Sequence, residues 1–374
     1  MSPAADLVVV GGGPAGLATA IRARQKGFQV TVLDRGTPPI DKACGEGLMP
    51  DAVQRLDELG VVLDPQRSAA FQGIRYLDAD LVAEARFPGG QGLGVRRLDL
   101  HQAFLHRAQS LGVQLRFREK ALALHDDGVE TASGRLTASW VVGADGLTSR
   151  LRKWAGLEGR PTKQRRFGVR RHFEVKPWAP FVEVHWGDGC EAYVTPVGPQ
   201  QVGVAILWSE PAREAQGTGF EKLLSQFPAI RSHLEGVPTL SRDRGCGPLH
   251  QRVRAVHRGN LALVGDASGY LDAITGEGLA LAFHQSFALV EALEKADLAA
   301  YGRRHRKIGQ IPNHLTAIVL WLEAHPRIRR RLLRALAEDP ELFSRFLGIH
   351  ARTLRPGQLG LSGIWRLVRG LAVQ

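Results

Sequence analysis

Along the opening residues the apolar pattern changes period twice. Residues 7–10 are an unbroken β-branched run, the pattern of a strand buried on both faces of a parallel sheet. Glycines follow at once, residues 15–26 carry apolar positions at helical spacing, and residues 29–34 alternate into a second strand. Further on, the pattern predicts a helix over 99–111, a strand over 140–142 and a helix over 147–155. Strands are predicted over 167–175, 182–186, 192–195 and 202–208, and a last strand over 260–264 precedes an apolar helix. Strands alternating with helices at both ends, around a strand-rich middle, give an α/β fold with an antiparallel insertion. There are no internal repeats, and no apolar stretch reaches the roughly 18 residues of a membrane span.

The turn between the first strand and helix reads Gly11-Gly12-Gly13-Pro14-Ala15-Gly16. In that context Gly11 permits a tight turn, Gly13 lets backbone approach a pyrophosphate, and Gly16 allows close helix packing. Phosphates would sit on free N–H groups at the helix N-terminus, where the dipole favours negative charge. Asp34 ends the second strand, where a carboxylate accepts hydrogen bonds from an adenosine ribose and repels a 2′-phosphate. FAD or NAD is therefore favoured over NADP as the bound dinucleotide.

Two later segments narrow the choice. Residues 140–146 run from a strand into Gly143-Ala144-Asp145-Gly146, and residues 260–266 run from a strand into Gly265-Asp266, followed by Gly276-Glu277-Gly278. With these three fingerprints in order, the chain resembles the flavoprotein family of the p-hydroxybenzoate hydroxylase fold, which includes geranylgeranyl reductases, over about residues 5–300. The resemblance implies a Rossmann-like FAD-binding domain (1–70, 96–160 and 259–300) interleaved with an antiparallel-sheet substrate domain (71–95 and 161–258). Residues 71–94 are then a strand excursion into the second sheet, and residues 301–374 form a basic helical segment. The cofactor-binding set it implies is Gly11, Gly13, Pro14, Ala15, Gly16, Asp34, Arg35, Cys44, Gly45, Gly47, Leu48, Arg97, Asp145, Gly265, Asp266, Gly276 and Gly278. Asp266 would hold ribityl hydroxyls, and Gly276 with Gly278 would open a helix towards the flavin pyrimidine edge. Asp145 either orients Arg150 or caps the following helix, and Arg97 either serves the phosphates or pairs with Asp99.

Within the family, residues 41–50 separate the chemistries. Geranylgeranyl reductases carry Cys-Gly-Gly there; this chain keeps Cys44-Gly45 but has Glu46 next. Cys44 is a candidate soft flavin neighbour and Glu46 a candidate proton relay, beside the alternative of a loop with no chemistry of its own. Tyr193 and Pro196 partly match the reductases' aromatic strand over the ring, whose Phe is missing. These departures tilt the reading towards an NAD(P)H-driven monooxygenase acting on an apolar small molecule, with geranylgeranyl reductase-like C=C reduction of a prenyl or polyketide substrate as the alternative. A non-catalytic flavin-binding partner protein is a third. With only one dinucleotide fingerprint, NAD(P)H would visit transiently. His172, His185 and His250 fall in the presumed substrate domain, and halogenase motifs are absent.

Composition adds two constraints. Cys44, Cys190 and Cys246 are few and far apart, which predicts neither disulfides nor a metal site and favours a reducing cytoplasm; residues 7–20 do not read as a signal peptide. Charge is concentrated: residues 301–374 hold fourteen Arg and Lys against four Asp and Glu, +10 of the chain's formal +12. Beside those charges stand Ile318, Val319, Leu320, Trp321, Leu332, Leu333, Leu336, Phe343, Phe346, Leu347, Ile364, Trp365 and Leu367, with Arg327 to Arg331, Arg366 and Arg369 at their borders. Such a segment is either a helical lid with solvated arginines or a peripheral contact with anionic membrane or an acidic carrier. No recognised module accompanies the charge, so nucleic acid is not expected.

Overall fold

The computed structural model describes residues 5–162, 165–210 and 219–360. The strand Ala5–Val10 lies inside an eight-stranded sheet, parallel to Gly134–Gly143 on one side and Val30–Asp34 on the other; Leu7 faces Trp140 and Val30 across the two ladders. Gln114–Phe117 and Leu261–Leu263 extend the sheet in parallel, and His257–Arg258 closes one edge. Alternation explains the unbroken apolar run. Leu7 and Val9 pack on helices Pro14–Gln25, Arg97–Ser110 and Gly278–Leu293, while Val8 and Val10 pack on Val141, Leu151 and Leu263. Each such burial contributes about 1.5–3 kcal/mol.

The second sheet has seven strands, in the order Arg244–Cys246, Arg166–Phe173, Gln201–Ser209, Cys190–Gly198, Val182–Trp186, Gly73–Asp78 and Leu81–Arg86. Its pairings are antiparallel except that Val182–Trp186 runs parallel to Gly73–Asp78. One face is closed by helices Phe220–Leu224 and Pro228–Leu234; the other carries Tyr76, Trp186, Tyr193 and Leu207.

Two local expectations change. Of residues 71–94, only Gly73–Asp78 and Leu81–Arg86 enter the second sheet; Gly92–Val95 is instead the central strand of a separate three-stranded sheet, paired with Gly47–Leu48 on one side and Ser68–Phe71 on the other. Glycine makes that contact possible, since a Cβ on Gly94 would stand 1.6 Å from the Pro196 carbonyl oxygen. The helix expected over 147–155 begins only at Arg150, because Asp145 and Ser149 take up the backbone N–H groups of Arg150, Leu151 and Arg152.

The basic segment is three helices, Leu298–Glu323, Pro326–Glu338 and Pro340–His350. Pro326 and Pro340 open the second and third, positions where the missing N–H costs nothing. Leu333, Leu336, Phe343 and Leu347 are buried against the Tyr76 and Trp186 face of the second sheet, while Ile311, Ile318 and Trp321 stay exposed. The Arg329 guanidinium is buried, bonded to Asp78 at 2.8 Å and lying over the Trp186 ring. Over its described part the segment covers the second sheet; Ile364, Trp365, Arg366, Leu367 and Arg369 lie outside the described residues. No helix among the described residues is long and apolar enough to cross a membrane.

Candidate functional site

A cavity of about 890 Å³ runs from the glycine turn to the three terminal helices. At the turn, Gly11 has φ of 115°, and a Cβ there would stand 2.2 Å from the Ala144 carbonyl oxygen. Gly16 touches the carbonyl of Gly11, so it is a packing residue and does not line the cavity. Gly13 is different: a Cβ on it would meet nothing closer than Arg97 Nη2, at 3.7 Å. Asp34 accepts the N–H of Gly12 at 2.7 Å and of Gly36 at 2.6 Å, so it first braces the turn. A carboxylate has lone pairs to spare for a ribose hydroxyl after that. Pro14, Ala15 and Arg35 complete this end of the wall.

Arg97 opens its helix with its backbone N–H on Glu46, and Asp99 pairs with Arg67 at 2.8 Å instead. The Arg97 side chain is buried, lines the cavity, and leaves its Nε without a hydrogen-bond partner. A buried guanidinium with an unmet donor, above a glycine with open space, fits a pyrophosphate. Asp145 accepts from Ser149 Oγ and two backbone N–H groups, so it caps the helix, and the Arg150 guanidinium stacks on Trp154 instead.

Gly265 turns with φ of 58° and lies so near Ala15 that a Cβ would clash at 2.7 Å. It hands on to Asp266, which binds Lys42 Nζ at 2.8 Å. Burial would raise the Asp266 carboxyl, but Lys42, Arg97 and Arg152 outweigh it and hold the group below its ordinary value. Gly276, with φ of 70°, faces open space, and Gly278 starts its helix against the Tyr270 ring. The terminal helices grip this loop. Thr316 Oγ1 meets Thr275 Oγ1 at 3.0 Å, His350 Nε2 lies 3.1 Å from the Thr275 carbonyl, and His350 and Arg352 flank the buried Glu277 carboxylate at 3.5 and 3.6 Å.

The opposite wall is residues 44–49. Cys44 lines the cavity; burial pushes its thiol up, and Sγ accepts the Glu46 N–H at 3.3 Å. Gly45 and Gly47 face the cavity, with the Gly45 carbonyl tied to Thr195 Oγ1 at 2.9 Å. Leu48 departs from its expected role. The pleat of Gly47–Leu48 turns its side chain into the core beneath the first sheet, and Met49 lines the cavity in its place. Tyr193 lines the wall with its ring, while its hydroxyl donates to the Ile274 carbonyl at 2.6 Å. Among the histidines, His185 is bonded to Glu183 at 3.2 Å, and His172 joins Glu46.

Two residues escaped the sequence reading. His101 is fully buried with Nε2 2.8 Å from the Gly12 carbonyl, and burial lowers its pKa, so the neutral ring braces the glycine turn. Arg152 is fully buried and donates to the carbonyls of Leu147 and Ala267, steadying the Asp266 turn. Neither stands in a motif; only distance in space reveals them. No cluster of metal-ligating side chains occurs among the described residues.

These features match known proteins. The family model described as "FAD binding domain" matches residues 4–298. Menaquinone reductase of Mycobacterium tuberculosis is 28% identical over 323 residues, covering 79% of this chain and 78% of that protein. Para-nitrophenol 4-monooxygenase of a Pseudomonas strain is 26% identical over 317 residues, 77% of each. Among solved structures, a flavoprotein/dehydrogenase from Cytophaga hutchinsonii superposes with a TM-score of 0.81 at 18% identity, covering 94% of each chain, a likeness of fold. A glycine turn shaped for a pyrophosphate, an unmet arginine above it and a family match across most of the chain agree: the chain belongs to the FAD-binding domain family and is an FAD-dependent oxidoreductase.

Proposed function

We propose that the enzyme reduces a C=C bond in a long apolar, isoprenoid-type substrate. The observation that carries this reading is the far half of the cavity. It is walled by Tyr76, Trp186 and Leu249 with Val319, Leu333, Phe343 and Leu347 of the terminal helices, and it is continuous with the clearings at Gly45, Gly47 and Gly276. Bound FAD supplies hydride transfer, with NAD(P)H as a transient reductant. The chain's own residues hold an apolar chain beside the ring and exclude water. Menaquinone, named in the M. tuberculosis relative, carries such an isoprenoid tail.

Two departures from the reductase pattern favour oxygen insertion, the Phe missing near Tyr193 and Glu46 in place of a glycine, and the structure bears on Glu46. That carboxylate is bonded to Arg97 N–H and His172, so the substitution leaves the clearings of Gly45 and Gly47 intact. Oxygen insertion remains the second reading, supported by the nitrophenol monooxygenase relative. The same helices that wall the cavity carry exposed Ile311, Ile318 and Trp321, and Ile318 also lines the cavity. We read that face as a peripheral contact with anionic lipid, through which an apolar substrate enters. The deciding experiment incubates the FAD-loaded enzyme with NAD(P)H and geranylgeranyl lipids or menaquinone, under ¹⁸O₂ and anaerobically, and weighs the product. Gain of two hydrogens that persists after any quinol is reoxidised in air, without added oxygen atoms, supports C=C reduction; incorporation of ¹⁸O refutes it.

A further inference from the structure

Glu46 is buried, at 2% exposure, and its backbone is left-handed, with φ of 61°, between two glycines. A side chain in that conformation is strained, and glycine, which the resembled reductases carry there, would not be. The carboxylate is nevertheless tightly fixed. Oε1 accepts the Arg97 N–H at 2.7 Å, and Oε2 lies 2.6 Å from His172 Nε2. His172, also buried, meets Ser241 Oγ through Nδ1 at 2.9 Å and Arg170 Nη1 at 3.2 Å. Ser241 Oγ already accepts the His172 backbone N–H at 3.1 Å, so its own proton points to Nδ1. With Arg170 also donating there, Nδ1 is the acceptor and the ring proton sits on Nε2, directed at Glu46.

We propose that Ser241, His172 and Glu46 form a proton-conducting chain that carries one proton per turnover from solvent to the flavin-facing loop. Ser241 is half-buried next to exposed Arg242, so the outer end meets water. Gly203 leaves room for the inner end, since a Cβ there would press Glu46 Oε2 at 3.1 Å and His172 Cδ2 at 3.5 Å. The other charged or titratable groups around the pair are Arg170 on the same strand, Asp41 and Cys44 from the preceding loop, Arg97 from the helix start and Arg244 from the edge strand. Asp41 is bonded to both Arg170 and Arg244.

In the transfer, the His172 Nε2–H bond breaks as an O–H bond forms on Glu46, and Ser241 passes its hydroxyl proton to Nδ1 and takes one from water. Glu46 then releases its proton into the cavity; once product leaves and water re-enters, Nδ1 returns its proton through Ser241 to solvent and Nε2 regains one from that water through Glu46, which resets the chain. No electrons move along this path. Saturating a C=C bond adds a hydride to one carbon and such a proton to the other. Reoxidation by O₂ without substrate uses one as well: the two electrons and one proton of the reduced flavin, plus this proton, convert O₂ to H₂O₂. The inference therefore stands whichever reaction the enzyme performs, and substrate-free reoxidation tests it separately.

The FAD-loaded protein is reduced with dithionite, mixed with oxygen across a pH series in H₂O and D₂O, and followed by flavin absorbance. The wild type should slow as pH rises and show a solvent isotope effect. Glu46→Gln and Glu46→Gly should reoxidise at least tenfold more slowly with both dependences lost, within the usual range for a lost general acid. Glu46→Gly also removes the left-handed strain, so misfolding does not explain its loss. Ser241→Ala should slow reoxidation, and Ser241→Thr, which keeps the hydroxyl, should restore it. On the protein alone, exchange of the His172 Nε2 proton with water, read by NMR with ¹⁵N-histidine, should slow at least tenfold in Ser241→Ala. Wild-type rates and pH profiles in Glu46→Gly, or unchanged Nε2 exchange in Ser241→Ala, would overturn the proposal.

Discussion

Arg166 is 2% exposed and gathers three carboxylates: Glu191 from its own sheet, Asp272 at 3.1 Å from the segment before Gly276, and Glu323 at 3.1 Å from the end of the long terminal helix. One cation cannot neutralise three anions. Burial first, then the charges of Asp272 and Glu323 working against Arg166, push the Glu191 carboxyl up to about 8. The sign of the stability effect follows. With its pKa raised above the unfolded value of 4.5, Glu191 binds its proton more tightly in the folded chain. The associated stability is complete below the unfolded pKa and is lost as pH climbs towards 8. At about 1.4 kcal/mol per pH unit the whole window is worth on the order of 4–5 kcal/mol, and the part between pH 6 and pH 9 roughly 2–3 kcal/mol. Glu191→Gln keeps the volume and an acceptor for Arg166 but cannot ionise. Urea unfolding of the FAD-loaded proteins at pH 6 and pH 9, read by tryptophan emission, should show the variant gaining roughly 2–3 kcal/mol on the wild type between the two. An equal difference at both pH values would refute the charge argument.

Gly13→Val places a side chain where the pyrophosphate must approach, beneath Arg97, and should abolish FAD binding; a fully flavinated variant would remove the turn from the site. Asp266→Ala should weaken FAD by about 1–3 kcal/mol through unmade hydrogen bonds, a roughly five- to 150-fold rise in Kd by titration of the apoprotein. Phe343→Ala opens a cavity in the wall shared by the second sheet and the terminal helices, and should cost about 3–5 kcal/mol of stability, seen as an earlier unfolding midpoint. For the lipid contact, the protein should sediment with anionic vesicles at low salt and release as salt passes roughly 0.15 M, where surface charge is screened over about 8 Å. Equal failure with anionic and neutral vesicles would leave the helices as a lid alone.

Legibility in the sequence followed the range of the interactions. The first strand, helix and second strand were readable because their pattern and glycines are local, and the structure moves their limits by no more than two residues. Leu48 was not, since the preceding Gly45 and Gly47 gave no sign that a pleat would turn it into the core. Glu46 was readable as an acid near the ring but not in its direction, which depends on a left-handed backbone that sequence does not announce. The cluster around Arg166 joins positions 25, 106 and 157 residues away, beyond any motif. The terminal helices were readable as amphipathic, yet an apolar stripe looks the same whether a sheet or a bilayer covers it.

The placement of Ala5–Val10 between Val30–Asp34 and Gly134–Gly143 bears on how the protein is made. Its neighbour on one side leaves the ribosome almost at once, whereas the other follows about 130 residues later, a delay of roughly 7–26 s at ordinary rates of synthesis. Until then one edge of an apolar strand is open, and the second sheet waits longer still for the helices that cover it. Because Thr316, His350 and Arg352 complete the loop at Gly276, the nascent chain cannot finish that loop before Arg352 is synthesised. An early stop in the last helices therefore yields a chain whose loop at Gly276 lacks these contacts.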